Sequence, residues 1–354
     1  MTRTPSVDGI LSAVACQQTA TAIARTQQPS GAIPWFPGGQ IDPWDHVQSA
    51  MALSAAGRTV EAVRAYEWSR SAQRPDGTWA AQYSADGEVT DARTDANFCA
   101  YLATGVWHHW SVTAEHAFVA RMWPAVRAAI DAVLSLQSPG GEVFWCRGQH
   151  GAVAREALLT GNASIHLSLR CAIALADLVG ELVPEWELAA AMLRHAIDEH
   201  PDRFADRSRY SMDWYYPLLG GVLQAEAAER RLAARWDDFV VPGLGIRCVD
   251  DHPWVTGAET CELALALDAA GRPQDALRQL SAMQHLRDPD GSYWTGLVFT
   301  DGKRWPVERT TWTGATVILA ADALSRTTGG SGLFRGEGLA SGVVEGACAC
   351  PATR

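Results

Sequence analysis

Acidic side chains recur near the starts of predicted helices, in contexts that suit proton transfer. The candidate catalytic acids and bases are Asp42, Asp45, Asp95, Asp213, Glu259 and Glu308. A carboxylate in the first turn of a helix is stabilised in its charged form, so it suits a general base, a nucleophile or a hydroxyl acceptor. A general acid must instead be kept protonated by an apolar setting or a like-charged neighbour.

Two of these contexts favour a raised carboxyl pKa. Asp45 follows Trp44 and lies one helical turn from Asp42, and Glu259 and Glu262 have the same i,i+3 spacing. Asp and Thr are also common N-caps, because they satisfy free backbone N–H groups at a helix start. Helix capping therefore stays open as the role of each acid taken alone.

Aromatic residues accompany the acids, and the chain contains 15 tryptophans. The predicted aromatic walls consist of Trp35, Trp44, Trp214, Tyr215, Trp254, Trp294, Trp305 and Trp312. His46 and Arg247 are further candidate substrate contacts, Arg247 toward an anionic group. Aromatic walls with a few acids are typical of a pocket for a sugar or a hydrocarbon.

The elements that must position these residues are helices, because apolar residues recur with the helical period. Twelve are predicted, over 7–26, 43–56, 58–72, 95–112, 114–136, 160–179, 186–199, 212–228, 229–238, 257–270, 273–286 and 311–326. Few segments alternate with period two, so strands should be rare and short.

The links between these helices fall into two classes. Links from even-numbered to odd-numbered helices are short, whereas the opposite links are long, over 27–42, 73–94, 137–159, 200–211, 239–256 and 287–310. This alternation places all long loops at one end of an antiparallel array. It predicts an all-α (α/α)6 toroid of six helical hairpins, in which the N-termini of the inner, even helices face the long loops.

Four long loops share a motif that ends an odd helix, turns through glycine and then presents an aromatic residue. Its copies span 28–35, 73–79, 137–145 and 287–294. The glycine suits a tight turn. The aromatic residues either pack between hairpins or face the funnel, and the motif leaves both open.

The sequence predicts one toroid domain over 1–326 and a glycine-rich tail over 327–354, which we expect to be disordered. Cys348 and Cys350 lie in this tail, and the sequence assigns them no role.

Composition narrows the function classes. The 40 acidic and 29 basic residues give a formal net charge of −11, which argues against a nucleic-acid partner. No long apolar run or secretory signal is visible, so we expect no membrane span and a cytoplasmic location. The cysteine spacing lacks a paired metal motif, and standard nucleotide and zinc motifs do not occur, so no cofactor or metal is predicted.

The segment 113–134, with Trp123-Pro124-Ala125-Val126, resembles a hairpin of the six-hairpin glycosidases, which include the glucoamylases. This resemblance implies a pair of carboxylates in a central funnel, one acting as acid and one as base. The glucoamylases' own catalytic-acid motif does not occur here, so the resemblance implies neither a particular substrate nor a stereochemical outcome.

The repeated Gln-Gly-Trp outline is similar to that of terpenoid cyclases and protein prenyltransferases, which are also helical toroids. Cyclases that protonate an alkene use an Asp-x-Asp-Asp motif, for which this chain offers only Asp42-Pro-Trp-Asp45 and Val249-Asp250-Asp251. Polar groups are abundant at the funnel, and they favour a small-molecule substrate with many hydroxyl groups. The leading hypothesis is therefore a carbohydrate-active enzyme that acts on a glycosidic bond by paired carboxylates. A terpenoid cyclase or prenyltransferase acting on a prenyl compound, and a non-catalytic glycan- or protein-binding toroid, remain the alternatives.

Overall fold

Helices of two kinds alternate along the chain in the computed structural model, which describes residues 4–340. The α-helices of this part are α1 (Ala13–Thr26), α2 (Pro43–Ala55), α3 (Thr59–Ala72), α4 (Ala96–Thr113), α5 (His116–Leu134), α6 (Leu159–Val179), α7 (Pro184–Glu199), α8 (Ser211–Leu219), α9 (Ala225–Phe239), α10 (Gly257–Ala269), α11 (Pro273–Ala282) and α12 (Thr311–Ser325). Short 3-10 helices cover Pro201–Arg203, Met283–Leu286 and Gly329–Arg335.

The even-numbered helices form a closed inner ring, since each packs against the next and α12 packs against α2. In α10, every residue from Gly257 to Asp268 is buried. The outer helix α9 buries only Ala228, Leu232 and Phe239, which form one stripe facing inward. Helices that are apolar all round therefore lie inside amphipathic ones, and the predicted (α/α)6 toroid is confirmed.

Five of the six hairpins join helices that follow each other in the chain, and the sixth does not. Helices α2 to α11 pair as even-then-odd neighbours across short turns. Helix α1 packs against α12 instead, where Gly314 lies beside Thr19 and Ile23. The two ends of the helical array thus make the last hairpin and close the ring.

Short strands occur only in the long loops of the described region. They are β1 (Gln82–Tyr83), β2 (Val89–Asp91), β3 (Thr94–Asp95), β4 (Cys146–Arg147), β5 (Val153–Ala154), β6 (Val240–Val241), β7 (Gly245–Arg247), β8 (Trp254–Thr256), β9 (Gly296–Val298) and β10 (Lys303–Arg304). All pairings are antiparallel, in sheets ordered β1-β2, β3-β4-β5 and β10-β9-β8-β7-β6. The last two sheets join loops of neighbouring hairpins, so they brace the open end of the toroid.

The repeated loop motif ties the outer helices α1, α3 and α5 each to the next outer helix. The Gln73 side chain donates to the carbonyl oxygens of Gly77 and Ala125, both at 2.9 Å. Gln27 and Gln137 make the same pair of bonds in their own repeats. The residue two places after the motif glycine is buried in each copy, as Ile33, Trp79, Val143 and Tyr293. The side chain two places after the motif glycine therefore packs between hairpins, which is one of the two roles that the motif left open.

Two predicted helix boundaries are wrong. The segment 7–26 becomes helical only at Ala13, because Ser12 caps the helix by accepting from the Ala15 N–H at 3.1 Å. The predicted helix 212–228 ends at Leu219, and α9 already begins at Ala225. Gly220 lies so close to α6 that a side chain there would overlap the carbonyl oxygen of Ala163. The Gly220-Gly221 pair thus marks a close approach between helices that local propensity does not reveal.

The prediction of a disordered tail is wrong for residues 327–340, which close the end of the toroid opposite the long loops. The 3-10 helix Gly329–Arg335 packs against α4, α10 and α12 and buries Leu333 and Phe334. Gly329 touches Ser111 so closely that only glycine fits there. The glycines therefore serve close packing. Residues 341–354, with Cys348 and Cys350, lie outside the described residues.

Within residues 4–340, α6 has the length and hydropathy of a membrane-crossing helix. Of its most apolar stretch, 78% is buried inside the toroid, as is typical of a core helix.

Candidate active site

The N-termini of the inner helices bring several carboxyl groups together beneath the long loops. Asp42 is the N-cap of α2, where its carboxylate accepts from the backbone N–H groups of Trp44 and Asp45, both at 2.9 Å. The indole N–H of Trp35 donates to its other oxygen. Burial raises the pKa of Asp42, and these three donors partly offset the rise. Asp42 therefore both caps α2 and belongs to the candidate site.

Asp45 lies one turn further into α2 and is buried. Its Oδ2 atom has no hydrogen-bond partner in the protein. Burial, followed by the negative charges of Asp42 and Glu262, raises the pKa of Asp45 well above its usual range. A pKa raised in this way favours the protonated form, which is the form that a general acid requires.

Glu262 lies opposite, on α10, and is fully buried. It accepts hydrogen bonds from the hydroxyl groups of Tyr215 at 2.7 Å and Tyr216 at 3.0 Å, and from the side-chain amide of Gln48 at 3.1 Å. Burial raises the pKa of Glu262 to about 7, against the effect of these donors. Gln48 lies one turn after Asp45 on α2 and donates to Glu262 on α10. Asp45 and Glu262 therefore lie on facing helices.

Two further acids extend this group. Glu259 is buried one turn before Glu262, accepts from the Thr256 hydroxyl, and has a pKa raised by burial. Asp95, the N-cap of α4, has a pKa raised to about 7 by burial and, to a smaller degree, by the charge of Asp42. We name Asp42, Asp45, Asp95, Glu259 and Glu262 the carboxyl cluster.

An aromatic floor lies beside the carboxyl cluster. The Trp44 ring contacts the rings of Phe98, Tyr101, Tyr216 and Trp312, with centroids about 6 Å apart. The indole N–H groups of Trp44 and Trp312 are buried and have no partner within the protein. Buried polar groups are normally hydrogen-bonded. These two donors and Asp45 Oδ2 therefore suit a ligand that carries hydroxyl groups.

A cavity of about 260 Å³ opens beside this floor. Its lining combines the carboxyl groups of Asp42 and Asp95 with the rings of Trp35, Phe98 and Trp145. The last is fixed by the Arg93 guanidinium, which lies 5.7 Å from its ring centroid. Trp35 and Trp145 hold the same position in two copies of the loop motif, four residues after its glycine. This position faces the funnel, whereas the position two residues earlier faces the core.

The structure separates Asp213 from the carboxyl cluster. Asp213 accepts a hydrogen bond from the Thr160 hydroxyl at 2.6 Å, and the positive charges of Arg231 and Arg207 favour its ionised form. It lines a different cavity, outside the inner ring, together with Trp214. Trp214 stacks on Phe239, 5.3 Å between centroids, so it faces α9 and the prediction that it forms a funnel wall is wrong.

His46 also faces away from the funnel, in contradiction to the prediction that it contacts substrate. Its Nδ1 atom accepts from the Ile33 N–H at 3.0 Å, and Nε2 lies 2.9 Å from the Ala65 carbonyl oxygen. Burial lowers its pKa to about 4, so this histidine is a neutral packing residue between α2 and α3.

The other predicted residues lie around the rim. Arg247 donates to the Asp238 carbonyl oxygen at 2.5 Å and stacks on Phe299, so it is already engaged within the protein. Arg309 stacks in the same way on the half-buried Trp294. Glu308 is half-buried just before α12, and burial raises its pKa. Its catalytic role stays a prediction. Trp254 and Trp305 pack edge to face, with centroids 4.7 Å apart.

The sequence analysis missed Glu262 as a candidate, together with Gln48, Tyr216 and Trp145. The i,i+3 spacing of Glu259 and Glu262 indicated a raised carboxyl pKa, but it did not place Glu262 among the candidate catalytic acids. Tyr215, predicted as a stacking wall, is instead a hydrogen-bond donor to Glu262. In residues 4–340, no three His, Cys, Asp or Glu side chains come together in a way that could hold a metal ion.

Comparison with known proteins adds an independent line of evidence. No protein-family model matches the chain. Among solved structures, it is similar to a glycosidase in complex with glucose (TM-score 0.70, 18% identity, 88% of this chain and 96% of that one). It is also similar to a D-mannose isomerase (TM-score 0.69, 11% identity, 89% of this chain and 97% of that one). At these identities the likeness shows the fold alone, and that fold is the predicted six-hairpin toroid.

A curated relative shows more than the fold. The MMP endo-(1,4)-3-O-methyl-alpha-D-mannosidase of Mycolicibacterium hassiacum is 61% identical over 347 residues, which cover 98% of this chain and 96% of that protein. The prediction of a carbohydrate-active enzyme that acts on a glycosidic bond is thereby confirmed, and neither the terpenoid nor the non-catalytic alternative is supported. Because this identity spans nearly the whole of both chains, the protein belongs to the family of the MMP endo-(1,4)-3-O-methyl-alpha-D-mannosidases and is a glycoside hydrolase.

Proposed function

We propose that the protein hydrolyses internal bonds of a chain of (1,4)-linked 3-O-methyl-α-D-mannose units, the activity that the relative's name describes. We call this substrate methylmannan. The observation that carries the proposal is the buried pair of Asp45 and Glu262, held on facing helices beside an aromatic-lined cavity. Glycosidases commonly use two carboxyl groups in this way.

In this proposal Asp45 is the general acid. Its pKa is raised well above the usual range by burial and by two negative neighbours, and Oδ2 has no partner within the protein. A protonated Asp45 can therefore donate its proton to the glycosidic oxygen as the bond to the leaving sugar breaks. Asp42 contributes by maintaining the negative charge that keeps this proton in place.

Glu262 is the proposed base. Three donors, Tyr215, Tyr216 and Gln48, favour the ionised form of Glu262 against burial, which raises its pKa to about 7. Asp45 has no such donors to its Oδ2 atom, and the negative charges of Asp42 and Glu262 favour its protonated form. Two carboxyl groups with their pKa values pushed apart divide into an acid and a base. The ionised Glu262 would take a proton from the attacking water.

The cavity suits one methylated sugar. Asp42 and Asp95 can accept hydrogen bonds from sugar hydroxyl groups, while Trp35 and Trp145 offer flat apolar faces to the ring. An O-methyl group removes a hydroxyl donor and adds an apolar surface. Contact with a methyl ether therefore costs less binding free energy at a wall of indole rings than at a wall of hydrogen-bonding groups, which would be left without partners.

The test uses methylmannan oligosaccharides and unmethylated oligosaccharides of the same linkage. We expect the protein to cleave the methylated series, and mass spectrometry should show products of intermediate length before monosaccharides. Asp45→Asn and Glu262→Gln should each lower kcat by at least about 100-fold, because each removes one partner of the proton transfer.

The matched control is Asp322→Asn. Asp322 is likewise a buried acid on an inner helix, with a pKa raised to about 6, but it accepts from Thr328 at the closed end of the toroid. Its variant should keep the wild-type kcat. Full activity of folded Asp45→Asn and Glu262→Gln variants would rule out this catalytic pair, and exclusive release of terminal sugars would rule out internal cleavage.

A further inference from the structure

Two tryptophans form a rigid apolar surface at the open end of the toroid. Trp305 is 53% exposed, which is unusual for so large an apolar side chain. Its ring packs edge to face against Trp254, and the Trp254 indole N–H donates to the Trp305 carbonyl oxygen at 2.7 Å. We name these two residues the tryptophan platform.

The surrounding sheet holds the tryptophan platform in place. Trp254 begins β8, which pairs with β9, and the Trp305 N–H donates to the Gly296 carbonyl oxygen of β9 at 3.2 Å. A side chain at Gly296 would overlap the Trp254 indole nitrogen, so the glycine is needed for Trp254 to lie across the sheet. Trp305 is thus fixed through its own backbone and through its neighbour's ring.

Strand β8 links the platform directly to the carboxyl cluster. Trp254 and Thr256 are two residues apart in this strand, so their side chains share one face, about 7 Å from each other. Thr256 donates to Glu259, which lies one turn before Glu262. The same strand therefore carries a platform residue at one end and a direct hydrogen-bond partner of the carboxyl cluster at the other.

We infer that the tryptophan platform is a distal binding subsite for methylmannan, where the exposed face of Trp305 stacks on a methylated sugar beyond the units at the cleaved bond. The inference rests on the proposed function. An enzyme that cuts inside a chain must hold sugars on both sides of the bond. The Trp35–Trp145 cavity lies by the loops before α2, α4 and α6, whereas the platform belongs to the loops before α10 and α12.

The chemistry favours a methylated glycan over other ligands. The platform exposes a flat indole face, and the indole N–H of Trp254 is already bonded within the protein. Such a surface recognises C–H groups and methyl ethers by burial of apolar area and by contact with the aromatic ring. Next to it, Val307 is 81% exposed and extends the apolar surface.

The experiment compares Trp305→Ala, Trp305→Phe and the control Asp177→Asn on short and long methylmannan oligosaccharides. Asp177 lies at the far end of α6, at the closed side of the toroid. Loss of the stacking ring in Trp305→Ala should raise KM for the long substrate roughly three- to tenfold and leave kcat unchanged. KM for a substrate too short to reach the platform should not change. Trp305→Phe, which keeps a ring, should recover most of the loss, and the control should match the wild type.

Calorimetric titration in a Glu262→Gln background separates this inference from the proposed function. The long oligosaccharide should bind this inactive variant more weakly once Trp305→Ala is added, by the same three- to tenfold factor. Cleavage by the wild type with equal KM for wild type and Trp305→Ala on the long substrate would overturn the platform alone. Absence of cleavage and of binding by any methylated oligosaccharide would overturn the proposed function, and the platform inference with it.

Discussion

Asp42 and Asp95 show how one carboxyl group can serve both a helix and a site. Each caps an inner helix, and each also lines the cavity beside Trp35 and Trp145. An N-cap of an inner helix of this toroid necessarily faces the long loops. The acids at these positions were therefore predictable from helix-start signals. For Glu262 the sequence offered only the i,i+3 spacing from Glu259. Its partners were not predictable, because the three donors that define its environment come from α2 and α8, far away in the chain.

The dependence of activity on pH follows from the two raised pKa values. The proposed mechanism requires Glu262 to be ionised and Asp45 to be protonated, so kcat/KM should rise as pH passes about 7, the pKa of Glu262. It should fall again as Asp45 loses its proton, and burial together with the charges of Asp42 and Glu262 shifts this loss to higher pH than for an ordinary Asp. Measurement of kcat/KM across pH should give this bell-shaped profile.

The tyrosine donors to Glu262 provide a sharper test of the same assignment. Tyr216→Phe removes a hydrogen bond to the charged form of Glu262, so the pKa of Glu262 should rise and the acidic limb should move to higher pH. The control is Tyr293→Phe, since the Tyr293 hydroxyl bonds Gln284 outside the site. A limb that stays in place in Tyr216→Phe would assign the ionisation to another member of the carboxyl cluster.

At the scale of elements, the loop motif acts as a clamp between successive outer helices. Its glutamine bonds the next outer helix, and its glycine has a positive φ at the point of closest contact. Sequence periodicity predicted nearly every helix, because inner and outer helices differ strongly in apolar pattern. It misplaced the end of α8, where Gly220 permits contact with Ala163 of another hairpin. Such contacts are set by tertiary packing, which a local pattern does not contain.

A pair of glycine variants isolates the clamp. Gly77 and Gly87 both have positive φ, of 83° and 87°, so alanine is strained at either position. At Gly77 the added methyl group would also overlap the Ala128 carbonyl oxygen, whereas at Gly87 it would meet open space. Gly77→Ala should therefore lower the free energy of unfolding by about 1–3 kcal/mol more than Gly87→Ala. Equal effects in chemical denaturation would show that the close approach does not matter.

At the scale of the whole molecule, the toroid is open at one end and closed at the other. The 3-10 helix Gly329–Arg335 seals the closed end, and Arg335 bonds the buried Asp268 at 2.7 Å. The sequence suggested disorder here because a glycine-rich composition is typical of disordered segments, and composition contains no information on tertiary contacts. In the structure these glycines let the backbone approach Ser111 and His108.

The seal should contribute to stability without contributing to catalysis. Leu333 is 3% exposed, so Leu333→Ala should lower the free energy of unfolding by about 2–5 kcal/mol. Leu182→Ala is the control, since Leu182 is 92% exposed. Thermal denaturation measures both, and kcat of the folded Leu333→Ala protein should equal that of the wild type. Equal melting temperatures for the two variants would show that the seal adds nothing to stability.

Closure of the ring by α1 and α12 ties activity to the order in which the protein is made. Helix α1 is synthesised early, but the helix that covers its apolar stripe is synthesised last. The same closing step brings Trp312 to Trp44 and joins Thr311 to the Trp35 carbonyl oxygen. On the ribosome, the aromatic floor therefore has no complete form until α12 emerges. A nascent chain therefore has no complete aromatic floor, because the floor and the finished ring come into existence together.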